Sequence, residues 1–197
     1  LKLQDYKVIP DRIEAGSYIL ATMATKGRLK LNNFNPKDLA LPLKLYRGMG
    51  LKIKKLSNSS YEIYCKTLKP IKKISTKEFP GYPTDLQAQL IATQLKSGLK
   101  SKVVENIFEN RFIHIPELRR FGANLSIKGN TVTIDKTSNL LGAEVMATDI
   151  RASFSLIIAA MMSKGKTVIN RIYHLDRGYE DFDLKLKKCG VNISRKK

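Results

Sequence analysis

Cysteine, tryptophan, acidic residues and long apolar runs are all scarce in this chain of 197 residues. Its two cysteines, Cys65 and Cys189, lie far apart and in no CxxC spacing, so neither a disulfide framework nor a zinc site is supported. The longest apolar run, residues 155–162, is too short to span a membrane, and no hydrophobic secretory segment begins the chain. We therefore expect a cytoplasmic protein with reduced thiols, and we predict no metal and no cofactor.

The shortage of acidic residues leaves a large positive charge, because 36 basic residues stand against 17 acidic ones, a formal net charge of +19. Such a charge attracts anionic partners, whether nucleic acid, a membrane surface or a phosphorylated metabolite. Most of the excess is lysine scattered along the chain, which is typical of a solvated surface. Aromatic residues make up 8% of the chain and tryptophan is absent, so a stacking platform for single-stranded nucleic acid is not indicated.

A repeated pattern divides the chain into three units. Gly27, Gly98 and Gly165 recur at intervals of roughly 70 residues, and each follows an apolar, alanine-rich segment that predicts a buried helix. After each glycine the pattern predicts a short strand, a loop, a second helix and a closing glycine. We predict a single domain over residues 1–197, built from these units: about 8–66, 80–136 and 145–197.

The second helix of each unit ends at a glycine, the residue that left-handed helix caps favour. These closing glycines are Gly50, Gly122 and Gly190. Apolar residues precede them at a three-residue spacing, which places Cys189 in a core position. Residues 191–197 supply a first strand to the third unit and no second strand follows, so we expect another segment or chain to complete that sheet.

The loops after the first strands differ between the units. In unit two, Ile107 and Phe108 precede Arg111, and in unit three an Ile-Tyr pair precedes Arg177. The planar guanidinium of arginine suits phosphate or carboxylate oxygens, and an aromatic or aliphatic neighbour can hold a flat heterocycle. The pattern therefore indicates a site for an anionic ligand that contains a ring, with surface arginines over small core clusters as the alternative.

Acidic residues stand where two of the buried helices begin. Asp85 follows the rigid segment "PGYP", and Asp149 stands two residues before Arg151 in "ATDIRAS". A carboxylate at such a position is most often a helix cap, and the second interpretation is a catalytic acid or base. The two histidines, His114 and His174, have no partner at metal-ligand spacing, and we assign neither as a base.

Four motifs together resemble one family of enzymes. The segments "PGYPTDLQAQ", "ENRFIHIPELRRFGA", "GAEVMATDIRASFSLIIA" and "VINRIYHLDRGYEDF" are similar to the UDP-N-acetylglucosamine 1-carboxyvinyltransferase family of enolpyruvyl transferases. The likeness runs from about residue 8 to the C-terminus. It implies an α/β fold in which each of two similar domains has three βαβαββ-type units around a pseudo-threefold axis, an inverse α/β barrel pair.

By this resemblance the chain corresponds to the C-terminal of the two domains, and it lacks the N-terminal one. The first residue, Leu1, is not methionine, which also suggests a fragment, a processed product or a trimmed chain. In the family an N-terminal segment crosses over to pair with the C-terminal domain, which would account for the unfinished third unit. The N-terminal domain is thus a predicted partner, and we predict no membrane or nucleic-acid partner.

The family transfers the enolpyruvyl group of phosphoenolpyruvate to the 3-hydroxyl of UDP-N-acetylglucosamine, releasing phosphate, in peptidoglycan synthesis. Such an addition and elimination needs a base at the hydroxyl, a proton donor at the vinyl carbon, and cations around phosphate and carboxylate. The resemblance makes Asp85 the base or its orienting partner. It assigns the other site residues as follows: uridine-nucleotide contacts at Ile107 and Phe108, activity or closure on anions at Arg111, Arg151 and Arg177, and a second active-site acid at Asp149.

The family's proton donor is a cysteine, sometimes an aspartate, on a mobile loop of the other domain, where fosfomycin reacts. Neither Cys65 nor Cys189 matches that position. We therefore expect the chain alone neither to turn over substrate nor to form a fosfomycin adduct. Two alternatives stay open: a stand-alone nucleotide-sugar-binding remnant and, less favoured, an RNA-binding protein with a fold like that of the RNA 3′-phosphate cyclases.

Overall fold

The computed structural model describes residues 5–196, and its elements follow a threefold repeat. The first unit consists of helix α1 (Arg12–Ala24), strand β1 (Arg28–Leu31), helix α2 (Ala40–Gly48) and strands β2 (Lys52–Lys55) and β3 (Tyr61–Tyr64). The second consists of β4 (Lys73–Ser75), α3 (Gln87–Gln94), β5 (Ser101–Val104), α4 (Ile115–Arg120), β6 (Leu125–Lys128) and β7 (Thr131–Ile134). The third consists of β8 (Glu144–Met146), α5 (Phe154–Met162), β9 (Val168–Asn170), α6 (Tyr173–Asp176) and α7 (Phe182–Lys188).

Helices α1, α3 and α5 form the interior of the molecule, where each contacts the other two. They carry small and apolar residues on most of their faces, so they can be covered on several sides at once. Ile19, Leu90 and Ile158 are each 0% exposed, which confirms the prediction of three buried helices. Among the described residues, none of the helices combines the length and the apolar character needed to cross a membrane.

The strands lie outside these helices in three separate sheets. The sheet of unit one has the order β1-β3-β2 and is antiparallel, whereas β4 and β5 of the β4-β5-β7-β6 sheet and the pair β8-β9 are parallel. Cross-strand neighbours Leu29, Ile63 and Ile53 pack inward against the core. The helices-inside arrangement confirms the predicted fold class, and within residues 5–196 the sheets do not close into a barrel.

The predicted closing glycines cap the second helices. Gly50, Gly122 and Gly190 have φ angles of +108°, +85° and +89°, a region of backbone conformation that side chains disfavour. The chain can therefore leave each helix and turn directly toward the next strand.

Two short parallel strands were missed by the sequence analysis. Strand β4 lies ahead of the predicted start of unit two at residue 80, and only unit two shows the full βαβαββ order within the described residues. A three-residue strand carries almost no periodic signal, and its strand conformation depends on pairing with β5, which follows it across a helix. The parallel strand β8 pairs in the same way with β9.

Two expectations about the C-terminal part were wrong. Residues 191–196 form no strand, because none of the described strands pairs with them. Without a paired strand over the end of α7, the side chain of Cys189 is exposed and does not occupy a core position. Cys65 is buried, and burial raises the pKa of its thiol, so it behaves as a packed apolar group.

Candidate active site

Asp85 is held by the rigid segment that precedes α3. It lies in a 3₁₀ turn, Thr84–Leu86, directly before that helix. The preceding Tyr82 is buried, and its hydroxyl donates to Leu86 O at 3.2 Å and lies 2.9 Å from the hydroxyl of Tyr46. An aromatic anchor on one side of the turn and a buried helix on the other leave the Asp85 backbone little freedom.

The Asp85 carboxylate bonds to an arginine and does not cap the helix. Arg111 Nη2 donates to Asp85 Oδ1 at 2.6 Å, whereas the N-cap position of α3 makes no side-chain hydrogen bond. The same guanidinium lies 5.0 Å from the ring centroid of Phe108. The Asp85 side chain remains 41% exposed, so a ligand hydroxyl can reach it while Arg111 holds its orientation.

Glu105, which the sequence analysis missed, organises the loop that bears Ile107 and Phe108. Its side chain is buried, and Oε1 accepts from Ile107 N at 2.9 Å and from Phe108 N at 3.2 Å. The same oxygen accepts from Thr76 Oγ1 at 2.8 Å, and Oε2 accepts from Thr84 Oγ1 at 2.8 Å. Glu105 therefore ties the Phe108 loop to the Asp85 turn. An acid directly after the apolar strand β5 was the available signal.

In the third unit, the acid and the arginine of "ATDIRAS" are engaged with the protein itself. Asp149 Oδ1 accepts from the backbone N–H groups of Arg151 and Ala152, at 2.9 and 2.6 Å, which is a capping arrangement. Arg151 Nη2 donates to Asp11 Oδ2 at 2.7 Å, and Nη1 donates to Gly178 O at 2.8 Å. Asp11 was missed as a site residue, although an aspartate after proline before a helix is a recognisable cap.

Arg177 and Arg151 line one open cavity of about 730 Å³. Five acidic and three basic residues are among those that line it: Asp11, Asp176, Glu180, Asp181 and Asp183, and Arg151, Arg177 and Arg195. Asp11 pairs with Arg151, and two of the other acids pair with Arg195. The structure thus gathers the predicted residues into two groups. The first comprises Asp85, Ile107, Phe108 and Arg111, and the second comprises Asp149, Arg151 and Arg177.

His114 lies buried beneath the first group. Burial and the nearby charge of Arg111 lower the pKa of His114 to about 3, so the imidazole is neutral at ordinary pH. Neither ring nitrogen has a hydrogen-bond partner among residues 5–196. A fully enclosed imidazole cannot reach a ligand hydroxyl, and it is therefore not a candidate base. In the same part of the chain, no three histidine, cysteine or acidic side chains cluster in a way that could hold a metal ion.

The sequence profile of the EPSP synthase family, described as EPSP synthase (3-phosphoshikimate 1-carboxyvinyltransferase), matches residues 1–186. The chain belongs to this family of enolpyruvyl transferases. It is 50% identical over 197 residues to a protein of Pelagibacter ubique named UDP-N-acetylglucosamine 1-carboxyvinyltransferase, and 45% identical over 195 residues to the protein of that name from Campylobacter hominis. These matches confirm the resemblance read from the four motifs. Each covers 99% of this chain and 46% of the relative, so the chain spans a little under half the relatives' length.

Solved structures support the same fold. The enolpyruvyl transferase NikO from Streptomyces tendae superposes with a TM-score of 0.85 at 26% identity, over 96% of this chain and 45% of NikO. EPSP synthase from Acinetobacter baumannii superposes with a TM-score of 0.62 at 16% identity, over 83% of this chain and 40% of that one, a likeness of fold alone.

Proposed function

We propose that this chain supplies the part of an enolpyruvyl transferase that binds UDP-N-acetylglucosamine and accepts the proton of its 3-hydroxyl. The observation that carries the proposal is the Asp85–Arg111 pair at 2.6 Å beside the exposed ring of Phe108. A carboxylate oriented by a cation next to an aromatic face is suited to a sugar hydroxyl attached to a nucleotide base. The names of the relatives, which specify UDP-N-acetylglucosamine, support the same substrate.

In the proposed reaction, the 3-hydroxyl oxygen bonds to C2 of phosphoenolpyruvate while Asp85 takes the hydroxyl proton. A donor outside this chain adds a proton to the vinyl carbon. Loss of a proton from that carbon and departure of phosphate then restore the double bond, which leaves the enolpyruvyl ether. A positioned general base contributes roughly 10²- to 10⁴-fold in rate, which sets the size of the effect expected from Asp85.

The second group of residues is suited to the anionic partner, phosphoenolpyruvate. Arg177 and Arg151 line the 730 Å³ cavity, and guanidinium groups bind phosphate and carboxylate oxygens in planar pairs. Arg151 is held in place by Asp11 and by Gly178 O, so it is oriented before any ligand arrives. Three of the five acidic residues around the cavity already pair with Arg151 or Arg195, which leaves Arg177 as the cation that supports an anion site here.

The N-terminal domain of the same enzyme is the partner we propose for the third unit. A groove of about 1,090 Å³ lies between β1, β9 and residues 191–196, and Val168 and Ile169 are among its apolar lining residues. Both β1 and β9 are edge strands within residues 5–196, so their backbone groups on this side can accept another strand. We propose that the crossing N-terminal segment fills this groove, and that the assembled enzyme acts in cytoplasmic peptidoglycan synthesis.

The test measures phosphate release from phosphoenolpyruvate and UDP-N-acetylglucosamine by the chain alone and by the chain mixed with the N-terminal domain of a homologous enzyme. We expect activity in the mixture and none from the chain alone. Asp85→Asn should lower kcat by roughly 10²-fold or more. The matched control is Asp135→Asn, which removes an aspartate from the exposed ion pair with Lys100 and should leave kcat unchanged.

Each other outcome separates the alternatives. Turnover by the chain alone would contradict the need for a second domain, and full activity of Asp85→Asn would remove Asp85 as the base. If the two domains associate but release no phosphate, while the chain binds UDP-N-acetylglucosamine, the protein is a nucleotide-sugar-binding module. RNA binding that UDP-N-acetylglucosamine does not compete with would favour the cyclase-like alternative.

A further inference from the structure

A buried glutamine connects the two groups of site residues. Gln89 is 0% exposed within α3, and its side-chain nitrogen donates to Asp85 O at 2.9 Å and to Arg151 O at 3.1 Å. Carbonyl oxygens accept hydrogen bonds and cannot donate them, so the amide nitrogen, and not the amide oxygen, must face both. One NH₂ group therefore bonds the main chains of two candidate site residues that belong to different units.

The same nitrogen also reaches the first unit. It lies 3.1 Å from Ser17 Oγ in α1 and 3.1 Å from Tyr179 Oη in unit three. Ser17 donates its own proton to Ile13 O, and the two hydroxyl oxygens are 2.8 Å apart, so Tyr179 is the donor between them. Burial raises the pKa of Tyr179 to about 12, so its hydroxyl keeps the proton that this bond requires. All three units thus meet at one side chain.

The repeat itself provides an internal comparison for this position. When the matching segments "TDLQAQ" of unit two and "TDIRAS" of unit three are aligned, Gln89 corresponds to Ser153. Ser153 donates to the carbonyl of Asp149 in its own turn. Glutamine has the length to bond its own turn and the neighbouring unit together. The bridge between units is therefore a property of this residue and not of the fold in general.

Only one side of the Gln89 amide is satisfied. Its amide oxygen is buried and has no hydrogen-bond partner among the described residues. A buried polar atom without a partner disfavours folding, so this oxygen offsets part of the stabilisation that the two carbonyl hydrogen bonds provide. Gln87, two positions earlier in α3, is similarly buried, and its Nε2 lacks a partner in the same part of the chain. It offers a control that lacks the bridge.

We infer that Gln89 is a positioning residue. It fixes the position of the main chain of Asp85 relative to that of Arg151, and so aligns the hydroxyl site with the anion site. This inference rests on the proposed function, because it assigns Gln89 a role in the same reaction. Asp85 reaches the substrate through its carboxylate and Gln89 acts through the backbone of Asp85. The Phe108 loop is held separately by Glu105, so nucleotide binding should not depend on Gln89.

The test compares Gln89→Leu, Gln89→Glu and the control Gln87→Leu, each mixed with the homologous N-terminal domain. Displacement of reacting groups by about 1 Å can cost roughly 10²-fold in rate, so we expect Gln89→Leu to lower kcat by roughly 10- to 100-fold. The KM for UDP-N-acetylglucosamine should change by less than about threefold, since the nucleotide contacts remain. Titration with UDP-N-acetylglucosamine counts the folded, binding-competent sites, which removes any effect of partial unfolding on kcat.

Gln89→Glu adds a readout that a purely structural role would not move. A protonated carboxyl group at this position can donate to one of the two carbonyls, whereas a carboxylate can donate to neither, so kcat relative to the native chain should rise in part as the pH falls. The ratio of kcat for Gln89→Leu to kcat for the native chain should not change over the same pH range. A kcat for Gln89→Leu within twofold of that for Gln87→Leu would overturn the inference.

A crystallographic comparison keeps this inference separate from the proposed function. If the native mixture shows no activity, the proposed function fails. Crystal structures of the native and Gln89→Leu chains then test the bridge on its own. We expect the carbonyl oxygens of Asp85 and Arg151 to move apart, out of reach of any single donor, once the amide is gone. Unchanged carbonyl positions would overturn the inference whatever the activity.

Discussion

Replacing Glu105 should separate the loop that carries Phe108 from the turn that carries Asp85. The Glu105 carboxylate is 2% exposed and accepts four hydrogen bonds, from Thr76, Thr84 and two backbone N–H groups. A hydrogen bond to a charged group contributes roughly 1.5–3 kcal/mol. In Glu105→Ala, water that enters the vacated space replaces some of these hydrogen bonds. We therefore expect the free energy of unfolding to fall by about 3–5 kcal/mol.

Glu105→Gln gives a milder version of the same change. The amide oxygen can still accept from the backbone N–H groups of Ile107 and Phe108, and Thr84 can turn its hydroxyl to accept from the new NH₂ group. We expect a loss of about 1–2 kcal/mol and weaker binding of UDP-N-acetylglucosamine. Urea denaturation followed by circular dichroism measures the first quantity, and calorimetric titration measures the second.

Glu109→Ala is the matched control, because Glu109 is exposed in the same loop. It should change the free energy of unfolding by less than about 0.5 kcal/mol. The reasoning is refuted if Glu105→Ala is no more destabilising than Glu109→Ala. It is also refuted if Glu105→Gln loses stability as expected but binds UDP-N-acetylglucosamine as tightly as the native chain.

Two further predictions concern buried histidine and the backbone. His114 has a folded-state pKa of about 3, below its value of about 6.5 in the unfolded chain, so the unfolded state binds an extra proton between these pH values. The free energy of unfolding should therefore fall as the pH decreases from about 6.5 to 3, by up to about 1.4 kcal/mol per unit. His114→Leu should flatten this slope in urea titrations at several pH values. Gly50→Ala should lower the free energy of unfolding by about 1–3 kcal/mol or more. The φ angle of Gly50 is +108°, and the new Cβ would lie 2.1 Å from Thr67 O. Gly48→Ala, with open space around its Cβ, should be neutral or slightly stabilising by thermal unfolding.

Most of the fold could be predicted from the sequence, because the same pattern occurs three times and each unit independently predicts the same order of helices and strands. The buried helices α1, α3 and α5 have apolar residues on most faces, and the closing glycines Gly50 and Gly122 mark where second helices end. The strands that were missed, β4 and β8, are short and parallel. Their hydrogen bonds come from strands across an intervening helix, so local pattern carries little information about them.

The candidate site, too, could be predicted only in part from the sequence. The sequence identified Asp85 and Arg111 as chemistry-bearing residues, yet spacing along the chain could not show that their side chains pair at 2.6 Å. Asp149 shows the opposite case, since its carboxylate bonds the backbone N–H groups of its own helix start. The two acids occupy equivalent positions in their units, and only their three-dimensional neighbours distinguish them.

The sequence by itself determined the three units, the buried central helices, the capping glycines and the family to which the chain belongs. These are properties of local composition and of motifs that each lie within one continuous stretch. The tertiary structure decided which residues act together: Arg111 with Asp85, Asp11 with Arg151, and Gln89 with the main chain of Arg151. Such pairings join residues that lie far apart in the chain, where a hydrogen bond depends on distance and direction in space and no periodic pattern in the sequence encodes either.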